Sequence, residues 1–129
     1  MPNACQHVFI NAVTLGAIEI ALQCRQRQRN PDQEFDWVGL LASVGAGVAA
    51  GAVPDWLEPS LGNPNHRVFF HSVTAAILVW WLVSGRHTNN LPPEARHVLS
   101  ACAAGYSLHI GADLLLSAGK GIGIGNARF

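Results

Sequence analysis

Three observations predict an all-α fold, a small four-helix, membrane-embedded bundle of up-down-up-down topology. Four apolar stretches, at about 8–23, 37–53, 68–84 and 98–118, each run 16 to 21 residues. That is near the lower end of the roughly 17 to 25 residues that a helix needs to cross a bilayer. Alternation of polar and apolar residues, the mark of a half-buried strand, is missing throughout. Half of the residues are hydrophobic and only 12% are charged, against roughly 25% charge in an ordinary soluble domain. A chain this small exposes much of its surface, so the shortage of charge points to lipid around it.

The length of 129 residues suits one helical domain, 1–129. Eight basic and eight acidic residues give a net charge of zero, which argues against nucleic acid as a partner. Cys5, Cys24 and Cys102 are widely spaced with no CxxC pair, so neither a disulfide framework nor a thiolate zinc site is expected. Met1 to Cys5 lacks Lys and Arg, so the first apolar segment is expected to be retained rather than cleaved as a signal.

Along the chain, the first stretch carries one acid, Glu19, and passes into a connection at 24–36 rich in Arg25, Arg27 and Arg29. In the second stretch Gly39, Ser43, Gly47 and Gly51 recur every four residues. On a helix they form one small-residue stripe, which lets a neighbouring backbone approach closely in lipid. The stripe could serve a helix of the same chain, a homo-oligomer or a larger assembly. The 54–65 connection holds three prolines and is expected to end the second helix. The connection at 85–96 places Pro92 or Pro93 at the start of the fourth helix. A glycine-rich tail, 119–129, reads as an extended loop. Five basic residues (Arg25, Arg27, Arg29, Arg86 and Arg96) fall on one face of the membrane and three (Arg67, Lys120 and Arg128) on the other. This places the first connection in the cytoplasm and the opposite end outside.

That opposite end is where the metal-capable residues converge. His7 opens the first helix, Asp55 closes the second, His66 and His71 enter the third, and His109 and Asp113 lie in the second half of the fourth. The four-residue spacing of His109 and Asp113 puts both on one helix face. Imidazole and carboxylate together suit Zn²⁺, Mn²⁺ or Fe²⁺, and six ligands suffice for one or two ions with room for water. An ionisable group such as Asp113 costs about 2.5 to 3.5 kcal/mol inside a membrane helix, and a nearby cation would offset that. Glu58 is the spare carboxylate close by and the candidate general base. The Arg67 guanidinium suits phosphate oxygens, and Ser72 is a candidate to orient a ligand or a water. His87 and His97 lie at the far end and are expected to be surface residues.

Pro54-Asp55, then His66-Arg67-Val68-Phe69-Phe70-His71-Ser72, then Gly105-Tyr106-Ser107-Leu108-His109-Ile110-Gly111-Ala112-Asp113 follow in an order and spacing that resemble a family of membrane-bound metal-dependent hydrolases. That family includes LexA-regulated bacterial inner-membrane proteins. His7 resembles the family's N-terminal histidine, and the ligand pattern is remotely similar to that of zinc-dependent phospholipase C proteins. The resemblance implies a multi-pass protein of the bacterial inner membrane that hydrolyses a phosphoester or lipid-related bond, with zinc as cofactor. The family's second aspartate, two residues after the first, is replaced here by Leu57, with Glu58 adjacent. Two other readings stay open: a non-catalytic metal-binding or metal-handling membrane protein, and an assembly protein with a vestigial site.

Overall fold

A computed structural model describes residues 4–58 and 69–116. Four helices and one additional helical turn account for most of them, with no strand among the described residues. They are α1 (Ala4–Arg29), α2 (Trp37–Leu57), α3 (Val73–Val83), the single turn α4 (Gly85–Thr88) and α5 (Pro93–Leu116). α2 packs along α5 and α1, α1 also meets α5, and α3 lies against α5. The expected four-helix arrangement is present, and α1, α2 and α5 are long and apolar enough to cross a membrane. Phe9, Val38, Leu41, Trp56, Ile77 and Leu115 are among many large apolar side chains left facing outward. Such a surface suits a bilayer, where apolar side chains need no cover.

The boundaries depart from expectation for identifiable reasons. α1 runs on through the arginines to Arg29, because Arg and Gln are good helix formers and cations favour a helix C-terminus. α2 does not stop at Pro54 but continues to Leu57. A proline in the last turn forfeits only one backbone bond, and the carbonyl of Pro54 still accepts from the Glu58 amide at 2.9 Å. α3 starts five residues later than the apolar run. Ser72 caps it, the hydroxyl accepting from the Ala75 amide at 3.1 Å. Its eleven residues rise about 16 Å, roughly half of a hydrocarbon core, so the third stretch is shorter than the spanning helix expected. α5 begins at Pro93, the position where a missing N–H costs nothing. The expected loop at 119–129 lies outside the described residues.

The glycine stripe is filled from within the chain. Ser43, Gly47 and Gly51 are buried. A Cβ on Gly47 would lie 2.8 Å from the Ala101 carbonyl oxygen, and one on Gly51 would lie 2.9 Å from that of Gly105. A Cβ on Gly105 would overlap the Gly47 carbonyl group. α2 and α5 therefore cross backbone to backbone, and the middle and last parts of the stripe are not available to a partner chain.

α1 presents its own interior stripe at four-residue spacing: His7, Asn11, Leu15, Glu19 and Gln23, all buried. At the end far from His7, the Gln23 amide bonds both backbone groups of Asp36, at 2.9 and 2.8 Å. The Asp36 carboxylate in turn accepts from the Gly39 amide at 2.8 Å and caps α2. Glu19 meets His97 Nε2 at 2.9 Å. His97 is thus half exposed yet paired, not merely a surface residue. The His87 ring lies 4.3 Å from that of Trp81.

Candidate metal centre

Antiparallel helices bring the other end of α1 together with the ends of α2 and α5 and the turn before α3. His7, Asp55, His71, His109 and Asp113, separated by up to 106 residues in sequence, converge there. Their ligand atoms form a continuous run. His71 Nε2 is 3.1 Å from Asp55 Oδ1, which is 3.6 Å from His109 Nε2. His109 Nε2 is 3.7 Å from Asp113 Oδ2, and Asp113 Oδ1 is 3.3 Å from His7 Nε2. Ligands about 2.1 Å from one ion in a tetrahedral arrangement sit about 3.4 Å apart. Each step of the run has that length within a few tenths of an ångström.

Two overlapping triads result, His7–His109–Asp113 and Asp55–His71–His109, each with its ligand atoms within 4.8 Å of one another. Both are close enough to hold a metal ion. Burial makes them unusual. His71 and His109 are fully buried, Asp113 and His7 nearly so, and only the Asp55 side chain is open, at 40%. Among the described residues, both ring nitrogens of His109 and Nδ1 of His7 are buried without a hydrogen-bond partner. Each such group costs roughly 1–3 kcal/mol if left so. The donor set fits a divalent cation, which would satisfy nitrogen and carboxylate at once.

The surroundings orient these side chains. Glu58 turns toward His71: one oxygen accepts from the Phe69 amide at 3.0 Å, and the other from the His71 amide at 3.2 Å while lying 3.1 Å from His71 Nδ1. Burial acts to raise the Glu58 carboxyl pKa. The bonds from the Phe69 amide, the His71 ring, and the Phe70 and His71 amides outweigh it and hold the value below the ordinary glutamate range. Leu57, where the resemblance expects a second aspartate, is 41% exposed. The carboxylate near this site thus comes one residue later, from the end of the extended α2. Ser72 is fully buried beside the ligands and caps α3, so it fixes the backbone next to His71. His66 and Arg67 lie outside the described residues.

Two supporting residues have no counterpart in the sequence-based assignment. Asn11, four residues after His7 and 1% exposed, donates from Nδ2 to the Gly105 carbonyl at 3.2 Å and so ties the site end of α1 to α5. The Tyr106 hydroxyl donates to the Phe70 carbonyl, holding the turn that carries His71. The signals were present: an i, i+4 spacing from His7 for Asn11, and a place one turn before His109 for Tyr106. No protein-family model, curated protein or solved structure matches this chain significantly.

Proposed function

We propose that this chain is a metal-dependent hydrolase of the bacterial inner membrane, acting on a phosphoester or lipid-related bond at the extracytoplasmic face. The observation that carries the metal is His109, fully buried, its Nε2 without a hydrogen-bond partner among the described residues and 3.6 and 3.7 Å from the Asp55 and Asp113 carboxylates. His7, Asp55, His71, His109 and Asp113 would hold one or two ions. Zinc fits the imidazole–carboxylate set, with manganese or iron as the alternatives. When bound, such an ion polarises an ester or phosphoryl oxygen and makes hydroxide available near neutral pH.

The half-open Asp55 carboxylate marks the side from which water and substrate reach otherwise closed ligands. Glu58 spends its oxygens on the His71 ring and turn and is a weak base. Its role in this reading is to orient His71, as carboxylates do for metal-bound imidazoles, rather than to abstract a proton. Arg67 and His66 adjoin this end in sequence, Arg67 as the cation for a developing phosphoryl charge and His66 as a further ligand. The sidedness rests on the five-to-three distribution of basic residues.

Turnover of a panel of phosphoesters and phospholipids by the detergent-purified protein, with and without chelator, tests this reading. Chelator-sensitive cleavage of one class is expected. Bound metal with no cleavage of any class would replace hydrolysis by a non-catalytic metal-handling role, which the depth of the site favours as the second reading.

A further inference from the structure

α1 and α3 both pack on α5 and leave an apolar groove between them. Its main cavity, about 460 Å³, is walled by Ile10 and Ile18 of α1 and Trp80 of α3. The floor is made by Ala104, Ser107 and Gly111 of α5. Small residues make the floor deep, and a Cβ on Gly111 would meet nothing within 4 Å. A second cavity of about 300 Å³ shares Ile10 and Leu116 with the first. A third, of about 240 Å³, shares Ile18, Trp80 and Ala104. The three adjoin one another, and the 240 Å³ cavity is lined in addition by Glu19, Ser43 and His97.

The groove's dimensions and chemistry are those of a hydrocarbon site. From Ala104 to Leu116 the lining of the main cavity covers twelve steps of α5, about 18 Å of helix axis. That exceeds the roughly 15 Å of one leaflet's half of the core. In the main cavity the polar side chains Trp80 and Ser107 bond each other, Nε1 to Oγ at 2.9 Å, so the wall offers hydrocarbon no unmet donor. The groove opens onto the same outward apolar surface as Phe9, Leu78 and Leu115, the surface that three span-length helices turn to a bilayer. One end of it reaches the level of His7, His109 and Asp113 along α1 and α5, since Cys5 and Gln6 precede His7 and Gly111 and Ala112 lie between His109 and Asp113, but none of these three lines it.

We infer that this groove seats one acyl chain of a membrane phospholipid, drawn laterally from the bilayer. The chain site does not depend on the metal reading above.

The test is native mass spectrometry of the full chain, incubated with phosphatidylglycerol and phosphatidylethanolamine and released from mild detergent. One lipid per wild-type chain is expected. Gly111→Leu and Ala104→Leu each displace about two methylenes of an occupant, so retention should drop roughly tenfold. Gly16→Leu, where a Cβ also meets nothing within 4 Å but which does not line the groove, should retain lipid like wild type. A metal-free His109→Ala, Asp113→Ala variant should also retain it, which separates this inference from the metal reading. A lipid-free wild type would overturn the inference. So would folded Gly111→Leu and Ala104→Leu chains holding as much lipid as wild type, or a dimer mass in place of bound lipid.

Discussion

The ring of His7, near the first turn of α1, stacks on the ring of His109 in α5, with centroids 3.9 Å apart and planes 22° from parallel. Nε2 of each ring faces an Asp113 oxygen, at 3.3 and 3.7 Å. Two buried imidazoles turned to one buried carboxylate offer a cation three ligand atoms at once. The stability of the site end should therefore depend on metal. Saturating ion at about a thousand times its dissociation constant adds on the order of 4 kcal/mol. Chelation should lower the thermal midpoint of the wild type and leave that of His109→Ala unmoved, as read by thermal denaturation in detergent.

Glu58→Gln should weaken metal binding by about 10- to 100-fold while preserving helix content, because the amide keeps the shape but not the charge that fixes the His71 ring. Titration with Zn²⁺ followed by calorimetry checks this. An unchanged affinity would remove Glu58 from the site.

The same carboxylate sets an acid limit. Its pKa is lower in the folded chain than its ordinary 4.5, so the unfolded state binds the proton more tightly. The stability it contributes is fully present above about pH 4.5 and is lost as pH falls through the folded value. Denaturation at graded pH should show this loss in wild type, and a shallower one in Glu58→Gln.

Tyr106→Phe removes the hydroxyl that donates to the Phe70 carbonyl. The expected cost is about 1 kcal/mol of stability, with a larger fractional loss of metal affinity, since the freed turn carries His71. Equilibrium unfolding and metal titration of the same preparation separate the two effects.

Gly105→Ala puts a methyl group into the Gly47 carbonyl. Neither backbone can move alone, so the penalty should reach or exceed about 3 kcal/mol, the upper end for overpacking. Gly16→Ala, with open space around it, should be neutral or gain up to about 1 kcal/mol from helix propensity. Comparative unfolding of the two variants checks the α2–α5 crossing.

The convergence of ligands was legible because helix ends alternate sides, so His7, Asp55, His71, His109 and Asp113 had to share one end once four helices were assigned. Spacing alone placed Asp113 beside His109. The Glu58–His71 contact was not legible, since it depends on α2 running through Pro54 and so turning residue 58 rather than 57 toward His71. The glycine stripe was readable as a close-packing surface, but not its partner. Only the fold shows Gly105 and Asn11 filling it. The Glu19–His97 pair joins residues 78 apart, a distance no local pattern reports.

Metal analysis of the detergent-purified protein tests the central claim most directly. The account predicts one or two tightly bound divalent ions per wild-type chain and essentially none in a folded His109→Ala, Asp113→Ala variant. A metal-free wild type after purification in zinc-supplemented buffer, or equal occupancy in the variant, would contradict it.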